Sequence, residues 1–421
     1  MKDLMNYLDN SYSAFHAIKN LEEKLINNGF KKLEENKIWN IEENNNYYVI
    51  RNTSSIIAFK VPRKEDIFGF NIVASHSDSP SYKIKPNATM KDLRNDYAKL
   101  NTETYGGPIT YTWLDRPLGI AGRVFVEDEN TLTEELVNLD DTIIIPSVAI
   151  HLNRSGEFNP NPQVDMLPLI GDANTTFEDM LKKQLQDKKI LSTDLFLYNK
   201  EKAMLIGANK EYLASSRIDD LECAYISMEA LINTDAKNVT ICAVFNNEEV
   251  GSRSANGAAS TFLKDTIDRI AKSLNKDILE MLANSFIISS DNAHALHPNH
   301  PEKSDPTNMV YMNKGIVVKH QAGLNYTTDA LSEAIFKKIC ILADVPYQDY
   351  TNRSDQRGGG TLGAISQTQL SIPSVDIGLA QLAMHSTYET CGIKDIDYMK
   401  KALSKFYSIK LDLNNKNIKI C

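Results

Sequence analysis

From Ser215 onward the chain alternates short apolar runs with longer helical stretches, and no other feature restricts its fold as strongly. A helical LECAYISMEALIN is followed by NVTICAVFN, a long helical region, SFIISSD, GIVVK, a helical TDALSEAIFKKICILADV and finally SVDIGL. Strands that alternate with helices pack as an α/β sheet with helices on its faces. Three further β-rich pieces, YYVIRN, SSIIAFKV and FGFNIVAS, precede Pro86 and are expected to join the same sheet. Ahead of them, Leu4, Tyr7, Leu8, Phe15, Ile18, Leu21 and Leu25 keep a helical rhythm that Gly29 stops, which predicts one or two amphipathic helices.

The middle of the chain has a different texture. Up to about Tyr212 it reads GGPITYTW, GIAGRVFV, DTIIIPSVAIHL and the loop-like SGEFNPNPQVDMLPLIGD, rich in Pro, Gly and Asn. At 421 residues the chain also exceeds the ~250 to 300 at which one hydrophobic core stops growing. The expected fold is therefore α/β, a central mixed β-sheet covered by helices and built from residues 1–86 and 213–421, with a β-rich domain inserted at 87–212.

Composition removes several functional classes. The formal net charge is −9, and Lys and Arg are scattered, so no basic stripe exists to follow a phosphate backbone; nucleic acid is not an expected partner. The first residues, MKDLMNYLDNSYSAFHAIKN, lack the apolar stretch of a secretory signal, and no run approaches the ~18 apolar residues of a membrane span. Five cysteines (Cys223, Cys242, Cys340, Cys391, Cys421) stand far apart without CxxC spacing, which argues against a disulfide framework or a thiolate zinc site. A reducing cytoplasm is the expected location.

Chemistry-bearing residues cluster where predicted strands end, the places at which open α/β sheets build sites. In ASHSDSP a strand delivers His76 into a turn, and Asp78, two residues on, falls on the same side and can fix the tautomer of a metal-binding imidazole. A solvated turn explains that pair equally well. In SSRIDDL two carboxylates open a predicted helix; they suit an N-cap, but Asp219 is the better candidate for bridging two cations. In AVFNNEEVGS an apolar strand runs straight into Glu248 and Glu249, a costly doublet unless a cation or proton compensates. There one carboxylate can ligate metal while the other moves a proton between water and a leaving amine. In FIISSDNAHALHPNH a strand ends at Asp291; the following His294, His297 and His300 fit a surface segment as readily as a zinc site. His385, in GLAQLAMHSTYET, is alone, and a lone histidine is more often a structural residue than a ligand.

In order along the chain, ASHSDSP, PSVAIHL, RIDDL, NNEEVGS, SDNAHALHPN, and RGGGTLG followed by MHSTYE resemble the M18 family of metallo-aminopeptidases, the aspartyl aminopeptidase group, across roughly residues 70 to 400. NRSDQRGGGTLGAI departs from the animal members and is closer to bacterial ones. The resemblance implies a dizinc-exopeptidase fold with an inserted dimerisation and lid domain. It implies two divalent ions, zinc first with Mn or Co compatible, held by His76, Asp219, Glu249, Asp291 and His385, with Asp219 bridging. It makes Glu248 the general base and Asp78 the residue orienting His76, and it has His151 reach the substrate in a neighbouring subunit. It further implies a homo-oligomer, a tetrahedral dodecamer built from dimers, acting on short peptides with Asp or Glu as the amino-terminal residue.

The expected function is thus a metallo-aminopeptidase removing single N-terminal residues. The alternatives are a related dimetal amidohydrolase, a carboxypeptidase or N-acyl-amino-acid deacylase, and an inactive shell-forming homologue. The first would need a basic pocket residue to bind a substrate carboxylate; Arg353, Arg357, Lys314 and Lys319 could supply one, or could equally bind an acidic side chain. The second should have lost a ligand or the base, and none is missing.

Overall fold

The computed structural model describes residues 1–154, 159–186, 188–413 and 418–421. A nine-stranded mixed sheet runs through its centre in the order Lys31–Leu33, Asn45–Arg51, Ser55–Val61, Val239–Phe245, Phe70–His76, Phe286–Ser290, Ser374–Gly378, Ile316–His320, Tyr347–Thr351. The strands Val239–Phe245, Phe70–His76, Phe286–Ser290 and Ser374–Gly378 are neighbours and parallel. All their residues are buried, which is why they read as mostly apolar runs rather than as alternating ones.

Period-2 geometry divides these strands between two cores. Val73, Cys242, Val244, Ile288 and Val375 pack on one face with the helices Ile218–Ile232, Ala330–Ala343 and Ile393–Tyr407. Ile72, Ala74, Ile241, Ala243, Phe245 and Ile287 pack on the other with Phe262–Ser273 and Leu362–Leu370. Fully burying each such side chain stabilises the fold by roughly 1.5 to 3 kcal/mol. The amino-terminal region forms two helices, Lys2–Asn10 and Ala14–Asn27, which bury the seven apolar positions of the sequence rhythm; Gly29 follows with φ +77°. The long helical region after Val239–Phe245 is two helices, Phe262–Ser273 and Ile278–Ala283, the second started by Asp277, whose side chain accepts from the Glu280 N–H.

A second, six-stranded sheet is drawn from Ser81–Lys91, Tyr97–Tyr105, Leu118–Asp128, Thr131–Asn138, Leu169–Asp172 and Lys189–Asn199. It has its own core of Tyr82, Trp113, Ile120, Val124, Met166 and Leu195, closed by the helix Phe177–Leu185. Its first strand starts upstream of residue 87. A small third sheet pairs Tyr212–Ser215 with Glu389–Gly392 and Ala380–Leu382 with Ala293–His294, tying the chain after the second sheet to the carboxyl ends of the central strands. Among the described residues no helix is long and apolar enough to cross a membrane. All five cysteines are unpaired, and four of them are buried.

Candidate active site

Five chain segments meet at the carboxyl ends of the parallel strands. His76 is the last residue of its strand and lies in register with Phe245, from which Asn246 and Asn247 lead to Glu248 and Glu249. Asp291 directly follows Phe286–Ser290. Gly378, on the adjacent strand, has to be glycine, because a Cβ there would overlap the Asp291 carbonyl oxygen. Asp219 and Asp220 depart from the expected helix start: both have non-helical backbone angles, and the peptide bond between them is cis. Neither side chain caps the helix; both point into the cluster.

The distances group these side chains into two sets. His76 Nε2 lies 3.4 Å from Asp219 Oδ1 and 3.7 Å from Asp291 Oδ1. His385 Nε2 lies 3.4 Å from Asp219 Oδ2 and 3.5 Å from Glu249 Oε2. Asp219 therefore presents one oxygen to each imidazole. Donor atoms of His76, Asp219 and Glu249, and separately of His76, Asp220 and Asp291, lie within 4.8 Å of one another. Asp220 is the less available member, since its Oδ2 accepts from the His76 backbone N–H at 3.1 Å.

Charge in this cluster is strongly unbalanced. Burial and the neighbouring Asp291, Asp78 and Asp219 push the Glu248 carboxyl up to about 8, and burial with Asp219 lifts Glu249 well above the usual carboxylate range. Burial would raise Asp219 as well, but His385 and His76 hold it below that range. The imidazoles respond in the opposite sense: against the effect of burial, Asp219 and Glu249 push His385 up to about 10, and Asp219, Asp291 and Asp78 raise His76. Among the described residues, Asp219 Oδ1, Asp220 Oδ1 and Glu249 Oε1 are buried without a hydrogen-bond partner. Buried carboxylate oxygens without donors are expensive, and an oxygen-plus-imidazole set without thiolate is what divalent cations bind. The donor set fits such ions.

Further side chains hold these groups in place. His76 Nδ1 meets the Asp78 backbone oxygen at 3.0 Å, while the Asp78 carboxylate is more distant at 3.5 Å. That carboxylate instead accepts from the Glu248 and Glu249 backbone N–H groups and from the Tyr105 hydroxyl. His385 Nδ1 meets the Gly107 carbonyl at 2.9 Å, which leaves Nε2 free toward the cluster. Glu389, fully buried, accepts from the His385 N–H at 2.7 Å and the Asp219 N–H at 3.1 Å. The sequence does not single out Glu389 or Tyr105, and in SSRIDDL it favours Asp219 over Asp220. Glu389 stands inside the quoted MHSTYE stretch, but nothing local marks it as buried.

A pocket of about 440 Å³ opens onto the cluster; His76, Asp219, Glu248, Glu249, Asp291 and His385 line it together with Lys319, Tyr326, Tyr350 and the Gly359–Gly360–Thr361 loop. Of the four basic candidates Lys319 alone lines it, its Nζ 3.8 Å from Asp291 Oδ2. Arg353 pairs with Asp355 instead, and Lys314 and Arg357 are exposed. His294 borders the pocket, whereas His297 and His300 lie on the surface, His300 beside Glu302. His151 is exposed and does not line this pocket.

Residues 7–407 match the family described as aminopeptidase I zinc metalloprotease (M18). The chain belongs to the M18 family. The probable M18 family aminopeptidase 2 of Clostridium novyi (strain NT) is 46% identical to it over 427 residues, covering 97% of this chain and 98% of the relative. The cryo-EM structure of the Ape4 and Nbr1 complex contains a similar chain, with a TM-score of 0.91, 35% identity, and coverage of 96% of this chain and 85% of that one. The S. cerevisiae mApe1 dodecamer shares the fold at a TM-score of 0.82 and 24% identity, over 96% of this chain and 95% of its own. As an M18 aminopeptidase, the protein is a metallohydrolase acting on peptides.

Proposed function

We propose that this M18 aminopeptidase works with two divalent ions, one held by His76, Asp219 and Asp291 and the other by Asp219, Glu249 and His385. Asp219 carries the reading: its Oδ1 and Oδ2 each lie 3.4 Å from a different imidazole, the arrangement a bridging carboxylate requires. Zinc is the first choice from the family description, and Mn or Co suits the same donors. Ions bound there would supply Lewis acidity, making water acidic near neutral pH and polarising the scissile carbonyl. Glu248 borders the pocket and its carboxylate makes no hydrogen bond among the described residues, so it is free to take the proton of the attacking water and return it to the leaving amine. Asp78 sets the turn that carries Glu248 and, through its backbone oxygen, the ring of His76.

Lys319 supports a preference for amino-terminal Asp or Glu in this reading. Its ammonium has three N–H donors, of which two are used on the Asp291 and Asn292 carbonyls at 2.9 and 3.2 Å. Asp291 keeps it charged in spite of burial. The third donor is available to a substrate carboxylate entering the pocket.

Residues 87–212 act in this reading as a dimerisation and lid domain. Ile150 is 71% and Leu152 82% exposed, on either side of His151, and Val148 and Val164 of the same inserted region are exposed as well. Covering that surface with a second copy removes it from water and carries His151 toward a neighbouring site, consistent with a tetrahedral dodecamer built from dimers. The enclosed sites would then admit short peptides. Unpaired cysteines agree with a cytoplasmic location.

Metal content tests the reading directly. The wild type should bind two zinc ions per chain, and His76→Ala and His385→Ala should each retain about one while unfolding cooperatively. A single ion in the wild type, or loss of both from either variant, would overturn the two-site assignment.

A further inference from the structure

We propose that Tyr105 is a positioning residue of this site, its phenol fixing the Glu248–Glu249 pair through the Asp78 carboxylate. The inference rests on the two-ion reading and adds to it a role for the second sheet inside the active site. Tyr105 ends the strand Tyr97–Tyr105, and its hydroxyl donates to Asp78 Oδ2 at 2.7 Å while accepting from Asn247 Nδ2 at 2.9 Å. Asp78 Oδ1 in turn accepts from the Glu248 N–H at 3.1 Å and Oδ2 from the Glu249 N–H at 3.2 Å. The phenol thus contacts the first residue of the glutamate turn, Asn247, directly and the next two through one carboxylate.

Several observations show that the contact is built rather than incidental. Asp78 is 3% exposed, so each donor to its carboxylate replaces water that cannot reach it. The Tyr105 ring is held edge-on against Phe196, with centroids 5.4 Å apart. Burial and the Asp78 charge raise the phenol's pKa, keeping it a donor. Asn247 has φ +62°, the left-handed conformation that asparagine adopts more readily than most residues, and its side-chain amide reaches the phenol from that turn. The two residues after Tyr105 continue along the same wall. A Cβ on Gly106 would lie 3.1 Å from Glu249 Cβ, and the Gly107 carbonyl meets His385 Nδ1. One short stretch of the second sheet therefore reaches the base through Asp78 and lies against Glu249 and His385, two ligands of one proposed ion site.

The test is Tyr105→Phe in the full chain, alone and combined with Glu248→Gln. Phenylalanine keeps the ring against Phe196 and removes only the hydroxyl. The expected result is a kcat about tenfold to a hundredfold lower, the range for losing a hydrogen bond to a charged group, with KM within about twofold. Chelator competition should show weaker zinc binding at one of the two sites. In the Glu248→Gln background the same change should cost under about threefold, because the group being positioned is already disabled. Asn247→Ala, which removes the other partner of the phenol, should give a smaller loss of the same kind. Wild-type kcat in Tyr105→Phe, an equal loss in the Glu248→Gln background, or a variant that does not fold would each overturn the proposal. Should the wild type fail to cleave free-amine peptides while Tyr105→Phe still weakens zinc binding, the aminopeptidase mechanism falls and the positioning role stands.

Discussion

Glu222→Gln should stabilise the protein above neutral pH and have little effect in acid. Glu222 is completely buried in the helix Ile218–Ile232; its Oε1 accepts from Cys391 Sγ at 3.0 Å and its Oε2 from Asn292 Nδ2 at 3.0 Å. Burial, helped by Asp395, pushes its carboxyl from 4.5 up to about 7. The folded protein therefore holds a proton that the unfolded chain releases. The stability this contributes is complete below about pH 4.5, declines as pH rises toward about 7, and is gone beyond it. A rise from 4.5 to about 7 corresponds to about 3 kcal/mol. Glutamine has no proton to lose, can keep its carbonyl toward Asn292, and offers its amide to the weakly accepting Cys391 sulfur, an exchange worth about 1 kcal/mol either way. Urea unfolding followed by circular dichroism at fixed zinc concentration, from about pH 5 to about pH 8, measures the difference between variant and wild type. That difference should grow by about 2 to 3 kcal/mol in favour of Glu222→Gln across the range. A difference that stays flat with pH would refute the reasoning, since it would mean that Glu222 ionises in the folded protein as easily as in the unfolded chain.

Other expected outcomes concern the chemistry. Glu248→Gln should keep both zinc ions and its melting temperature while kcat falls by roughly 10² to 10⁴, as measured by steady-state kinetics and metal analysis on the same sample. Lys319→Met should lower kcat/KM for Asp- and Glu-p-nitroanilide by about tenfold or more relative to Leu-p-nitroanilide; an unchanged ratio would remove Lys319 from substrate selection. His151→Phe should lose turnover without losing zinc, and mixing it with His385→Ala subunits should restore part of the activity if His151 acts across an interface.

Much of the fold is visible in the sequence because the central strands are covered on both faces. FGFNIVAS, NVTICAVFN, SFIISSD and SVDIGL are mostly apolar on both faces, with a few buried polar residues such as Asn71, Thr240 and Asp376, and each is a buried strand. His76, Glu248, Glu249 and Asp291 stand out for the same reason, as polar residues placed where those runs stop. What stayed hidden depends on contacts distant in sequence. Glu389 is recognisable only once His385 and Asp219 close around it, and Tyr105 only once the second sheet lays it against Asp78. The Asp219–Asp220 pair looks like a helix start because carboxylates are favoured there; here their backbone leaves the helix so that both side chains enter the cluster. The carboxy-terminal helix Ile393–Tyr407 buries Ile396, Met399, Leu403 and Phe406 at helical spacing, a periodicity the sequence carries with no neighbouring motif to mark it.

Zinc titration into chelator-stripped protein, with hydrolysis of Asp-, Glu- and Leu-p-nitroanilide followed beside their N-acetylated forms, tests the central claim most directly. A two-ion aminopeptidase should regain activity only as the second equivalent binds, and only on substrates with a free amine. Full activity at one equivalent, activity without metal, or comparable cleavage of the acetylated substrates would contradict it.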